Sequence, residues 1–216
     1  IQGEGGIIVP PDGYLAQCRE ICTRHNILMI CDEVQTGLGR TGRLLACDHE
    51  GIRPDGLILG KALGGGLLPV SAFLARSEVM DVFTPGDHGS TLGGNPLAAA
   101  VGYAALSLLR DGELIAAAAQ RGQRLRDGLN ALRHPAIRSV RGKGLLIGLE
   151  LDPHIITARS FCERLMENGV LSKETHHTVV RFAPPLIITA EALDAALRII
   201  EHVFATLPTP HMEACT

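Results

Sequence analysis

The chain has 216 residues, 46% apolar and 20% charged, with a net charge of −3, enough to bury a substantial core in one large domain or two small ones. Its lysines and arginines are scattered and only 3% of residues are aromatic, which excludes the basic stripe and stacking platforms that nucleic-acid binding needs. The apolar run Leu97 to Leu109 is shorter than the roughly 18 apolar residues of a membrane span, so no membrane association is expected.

In chain order, Tyr14 to His25 sets Leu15, Cys18, Ile21 and Cys22 on one face of an expected helix. The run ILMIC, residues 27 to 31, is continuously apolar rather than alternating, the pattern of a strand buried on both faces of a parallel sheet. GLILG, residues 56 to 60, repeats it, and LLPVSAFLA is a third candidate. Asn95 as N-cap and Pro96 at the first helical position open an apolar helix, expected to be buried all round and ended by Asp111-Gly112.

A more polar helix from about Glu113 to Leu132 leads into short strands at IRSV, GLLIGLEL and VVRFAP, with helices over Thr157 to Asn168 and Glu191 to Thr206. In the last helix Leu193, Leu197, Ile200 and Phe204 form one stripe behind a Thr189 cap. The fold class is therefore α/β. A mostly parallel sheet with helical crossovers is expected over residues 1–113, and a small α+β domain with its linking helix over residues 114–216. The polar tail from Pro208 is expected to fray.

Six cysteines, Cys18, Cys22, Cys31, Cys47, Cys162 and Cys215, follow no small-domain disulfide framework and no paired ligand spacing. Cys18 and Cys22 share a helix face and could in principle hold a metal, but buried thiols of a reducing compartment are the simpler reading. No charged n-region and apolar h-region open the chain, so a cytoplasmic location is expected, or the mitochondrial matrix in a eukaryote. The chain starts at Ile1 within a motif, which raises the expectation of lost upstream sequence.

The chemistry concentrates at strand ends, where ligands bind in open parallel sheets. Asp32-Glu33 follows ILMIC and Lys61 follows LILG, 29 residues later, close to the length of one βαβ unit. The bland reading is an ion pair on the sheet rim. Against it, Gly64-Gly65-Gly66 clears side chains beyond Lys61, and an amine beside apolar residues is favoured as a Schiff-base nucleophile. In HGSTLGGNP, residues 88 to 96, Ser90 and Thr91 with glycine amides before a helix make an anion site. An acid, a lysine and phosphate-binding hydroxyls are what pyridoxal phosphate requires.

CDEVQTGLGRTG, PDGLILGKALGGGLLPVSA, HGSTLGGNPLA and VRGKGLLIGLEL occur in that order. Together the chain resembles the class III (ornithine-type, subgroup II) aminotransferases, pyridoxal-phosphate enzymes of fold type I, from the opening IQGEGG to the last helix. The resemblance implies that Lys61 bonds the cofactor and then shuttles a proton, that Asp32 keeps the ring nitrogen protonated, and that Gln35 touches the ring's phenolic oxygen. Ser90 and Thr91 match the position that reaches the phosphate of the neighbouring subunit's cofactor, which implies a homodimer with shared sites. Glu4 and Arg181 match a pair that manages two substrates in one pocket: Arg181 binds the 2-oxo acid carboxylate, and Glu4 neutralises it while the amino donor is bound.

HGSTLGGNP and VVRFAPPLII are most similar to the members that act on ornithine, although acetylornithine and 4-aminobutyrate remain open. The implied reaction moves the δ-amino group of L-ornithine to 2-oxoglutarate and gives glutamate-5-semialdehyde, feeding proline or arginine metabolism. A catalytically silent relic of the fold is the competing reading. Family members are considerably longer, and their first half supplies the glycine-containing phosphate cup and the ring-stacking aromatic, so the 216 residues alone are expected to be inactive and sticky. His176-His177, His49 and His88 are read as ordinary polar residues, with no metal site. RGKG, residues 141 to 144, is read as a turn before a strand.

Overall fold

The computed structural model describes residues 1–207. They form two compact units, one from Pro10 to Ala118 and one combining Ile1–Val9 with the chain from Ala119 onward. The boundary expected at residues 113 and 114 therefore falls after Ala118, and the opening nine residues belong with the second unit. Ile7 explains that placement: it is fully buried, and Gly148 makes room for it, since a Cβ at 148 would stand 2.9 Å from the Ile7 Cβ.

In the Pro10–Ala118 unit, α1 (Tyr14–Arg24) precedes a three-stranded sheet of β1 (Ile30–Asp32), β2 (Gly56–Leu59) and β3 (Ala72–Ala75). β1 and β2 are parallel, with Asp32 opposite Ile58, while β3 runs antiparallel to β2. The expected mostly parallel sheet thus has one parallel pair and an antiparallel edge, a common ending for such sheets. Short α2 (Ser77–Met80) leads on to α3 (Pro96–Asp111). Asn95 caps α3 by accepting from the Ala98 amide at 2.9 Å, with Pro96 in the first turn.

Burial in this unit departs from expectation. Ile27, Leu28 and Ile30 are 56%, 53% and 51% exposed, and Leu97, Tyr103 and Leu108 on α3 are exposed as well. Only one side of α3 is covered, where Gly102 lies against Leu63. The apolar pattern was suited to burial on all sides, but the described residues of this unit cover only one.

The second unit is closed. α4 (Leu114–Ala131) leads to an antiparallel sheet ordered β4-β5-β7-β6, from β4 (Ile137–Lys143), β5 (Leu146–Leu151), β6 (Lys173–Thr175) and β7 (Val179–Phe182). α5 (Ala158–Glu167) and α6 (Ala190–Ala205) bury Phe161, Leu165, Leu193, Ile200 and Phe204 with Leu149 and Val180 of the sheet. The Phe161 and Phe204 rings meet at 4.6 Å, a favourable aromatic separation. Thr157 and Thr189 cap their helices through Ser160 and Ala192. β6 was not expected from the sequence, because a three-residue polar strand has no readable period. RGKG differs too: Arg141 to Lys143 lie within β4, and the chain reverses at Gly144-Leu145. The tail from Pro208, with Cys215, lies outside the described residues. Among the described residues no helix is long and apolar enough to cross a membrane.

Candidate active site

Because β1 and β2 are parallel, their carboxyl ends open on the same side. Asp32 ends β1, and its Oδ1 accepts from the Val34 amide at 3.0 Å, which turns the chain out of the strand. β2 ends at Leu59, Gly60 follows, and Lys61 opens a 3-10 turn to Gly64. Lys61 has φ 44°, a left-handed backbone that costs a non-glycine residue about 1 to 3 kcal/mol and is characteristic of functional sites. Gly60 lies close to the β1 end: a Cβ there would stand 3.3 Å from the Val34 Cγ1, a tight contact with a side-chain methyl.

A cleft of about 550 Å³ is lined by Val34, Gly60, Lys61, Ser71, Ser90 and Gly93, among others. The Ser90 Oγ accepts from the Gly93 amide at 3.0 Å, which tightens that loop. The structure therefore brings Lys61 and Ser90 to one cleft, whose β1 side is provided by Val34. Asp32 is exposed at the neighbouring strand end, Gln35 is half-buried one turn on, and Thr91 is exposed beside Ser90.

Glu33 was quoted with Asp32 in the sequence but received no role, and the structure gives it one. Strand alternation turns it inward, where it is 3% exposed. Its carboxylate accepts from the Thr36 hydroxyl and from the Ala46 and Cys47 amides, each at 2.8 Å. Such charge-assisted bonds are among the strong ones, and they tie the loop carrying Val34 and Gln35 to the segment at 46–47. Next to it the Cys47 thiol is pushed strongly up by its hydrogen bond with Cys31, then by burial and by the Glu33 charge. Cys47 and Cys162 are buried, and Cys18, Cys22 and Cys31 half-buried, all as free thiols.

In the other unit, Arg181 on β7 donates through Nη1 to the Glu4 Oε1 at 2.6 Å. The pair is lopsided, the arginine side chain being 17% exposed and the glutamate 73%. Arg181 also lines a cleft of about 510 Å³ whose wall includes Phe182, Pro184, Pro185 and Ile188. His176 and His177 are exposed in a tight turn with φ 50° and 59°, and the His49 ring lies 3.1 Å from the Thr41 carbonyl. Among the described residues no group of three or more His, Cys, Asp or Glu is arranged to hold a metal.

The sequence-predicted lysine and acid thus stand at the ends of neighbouring parallel strands. Residues 1–204 match the family Aminotransferase class-III, and the chain belongs to that family. It is 56% identical over 204 residues to ornithine aminotransferase 2 of Staphylococcus aureus (strain N315), covering 94% of this chain and 51% of the relative. The ornithine aminotransferase structure from Toxoplasma gondii with partial occupancy of PLP superposes with a TM-score of 0.93 at 48% identity, over 96% of this chain and 50% of that one. Acetylornithine aminotransferase from Elizabethkingia anophelis gives 0.90 at 50% identity, over 94% and 52%. The chain spans about half the length of the curated relatives it matches.

Proposed function

We propose that this chain carries the lysine-bearing half of a pyridoxal-phosphate-dependent ornithine aminotransferase, working as a homodimer with shared sites. The observation that supports the chemistry best is Lys61, strained and lining a cleft at the end of a strand parallel to the one that Asp32 terminates. The donor set fits the cofactor: a primary amine, a carboxylate for a ring nitrogen, a hydroxyl for a phosphate, and a wall kept low by Gly60 and Gly93. When bound, pyridoxal phosphate supplies an aldehyde that condenses with amines and a ring that accepts the electron pair left at the substrate carbon.

The chain's own residues do the rest. Asp32 holds a proton at the pyridine nitrogen, and Gln35 offers its amide to the ring oxygen. The Lys61 Nζ takes and returns the proton at the substrate carbon. Ser90 and Thr91 donate to a phosphate, the partner's in the dimer. Arg181 receives the carboxylate of the 2-oxo acid, with the planar fork suited to bidentate contact, and Glu4 covers that charge while the δ-amine of ornithine reacts. The name and 56% identity of the staphylococcal relatives favour ornithine. The similarity to acetylornithine aminotransferase keeps that substrate as the second reading.

Pyridoxal phosphate added to the chain, together with the first half of a relative as a separate polypeptide, is expected to produce a visible absorption band that Lys61→Ala abolishes. A band unaffected by the substitution would refute the assignment of Lys61. Turnover of ornithine above N-acetylornithine and 4-aminobutyrate is expected from the completed enzyme, and none from the 216-residue chain alone.

A further inference from the structure

We infer that Thr175 and Arg141 are positioning residues for substrate choice: they grip the Gly3–Ile7 loop by two backbone carbonyls, so that the exposed Glu4 carboxylate rests on Arg181 until a substrate carboxylate displaces it. The inference rests on the reading of Arg181 as a carboxylate-binding residue.

An ion pair with so exposed a partner is weak. Pairs of this kind are worth about 0 to 1 kcal/mol, because holding a flexible carboxylate in one place costs side-chain entropy. The segment QGEGGI makes matters worse, since Gly3, Gly5 and Gly6 have little conformational preference of their own. Something outside the loop must hold it.

Three anchors do so. Ile7 is buried above Gly148. The Thr175 hydroxyl, on a residue only 5% exposed, donates to the Glu4 carbonyl at 2.9 Å. Arg141 closes on the Gly6 carbonyl with Nε at 3.1 Å and Nη2 at 2.8 Å. Its remaining nitrogen, Nη1, goes to Ser139 and Glu150, so this arginine is spent on structure. The carbonyls held are those on either side of Gly5, which fixes the direction in which Glu4 leaves the backbone.

The sheet register makes the arrangement rigid. Arg141 pairs with Gly148, Gly148 with Arg181, and Arg181 with Lys173, one row across four strands. Gly148 has no side chain, and the loop passes over it between the two arginines. Arg141 takes a neutral carbonyl of that loop, and Arg181 takes its one carboxylate. Thr175, opposite Val179 on β7, stands two positions along the same ladder from the Lys173–Arg181 pair.

The test is calorimetric titration of 2-oxoglutarate into the chain assembled with the first half of a relative as a separate polypeptide, in the absence of pyridoxal phosphate. Glu4→Gln is expected to tighten binding about two- to fivefold, the range open to a partly exposed ion pair. Thr175→Val is expected to do the same, with no further gain in the double variant, and Thr175→Ser, which keeps the hydroxyl, is expected to bind as the unaltered chain does. Arg141→Lys loses the fork but keeps the charge and is expected to follow Thr175→Val, which guards against either variant failing to fold. Tightening by Glu4→Gln alone, with Thr175→Val and Arg141→Lys unchanged, overturns the positioning role and leaves Arg181 as read. Binding that Arg181→Ala does not weaken, or no binding by any variant, overturns both.

Discussion

The two units differ in how far they close on themselves. The second presents a finished core in which Ile147, Leu149, Phe161 and Leu165 are fully buried, and its exposed large apolar residues are few, Met166, Leu171 and Ile187 among them. The Pro10–Ala118 unit exposes Ile27, Leu28, Ile30, Phe73, Leu74 and much of α3, far more of its large apolar side chains than the second unit does. The unit bearing Lys61 and Asp32 thus leaves apolar surface uncovered, while the unit bearing Arg181 supports itself. The closed unit gives Arg181 a fixed sheet position. The open one lines the Lys61 cleft in part with Leu92, which is itself exposed.

The sharpest way to break this contrast is a pair of truncations. Phe161→Ala in the closed core is expected to cost about 3 to 5 kcal/mol, whereas Leu108→Ala on the exposed side of α3 is expected to stay within about 0.5 kcal/mol, both read by denaturant unfolding. Equal losses would mean that the open face is covered in solution.

A smaller effect is expected at Glu33. Glu33→Gln puts an amide where three donors converge and is expected to cost about 1 to 3 kcal/mol, loosening the loop at 34–36. In the completed enzyme the same substitution is expected to weaken retention of pyridoxal phosphate, measured by dialysis and absorbance, while Leu108→Ala does not. Retention unchanged by Glu33→Gln would separate the clamp from the cofactor site.

The smallest effect concerns acid. Asp55 accepts from the Met29 amide and pairs with Arg19 and Arg76, and these bonds hold its carboxyl below its ordinary value. A depressed carboxylate stabilises the fold above the unfolded value, about 3.9, and that contribution disappears as pH falls through the folded one. Asp55→Asn is therefore expected to lower stability near neutrality and to flatten its decline below pH 4 or so. An unchanged slope in acid unfolding would remove Asp55 from that role.

Local signals were read correctly where a short stretch contains its own physics. The Asn95-Pro96 start of α3, the Thr189 cap and the α6 stripe need only neighbours a turn away. So does the placement of Asp32 and Lys61 at strand ends. Glu33 escaped notice because a carboxylate beside Asp32 looks solvated until strand alternation and the loop to Cys47 enclose it. Arg141 looked like part of a turn, since its partners Gly6 and Glu150 are brought together only by β-pairing. Glu4 and Arg181 were linked by family resemblance, and no spacing in the chain relates them.

The amino-acid sequence by itself determined the α/β class, the helix starts, and the lysine and acid that end neighbouring strands, because capping, periodicity and strand length act over a few residues. Tertiary structure alone decided that Ile1–Val9 join the second unit, that Arg141 and Thr175 hold the Glu4 loop, and that one apolar face stays open. Those outcomes depend on which distant segments supply a partner for a buried carbonyl or an uncovered side chain, and pairing across 171 residues, as between Thr175 and Glu4, has no local signature.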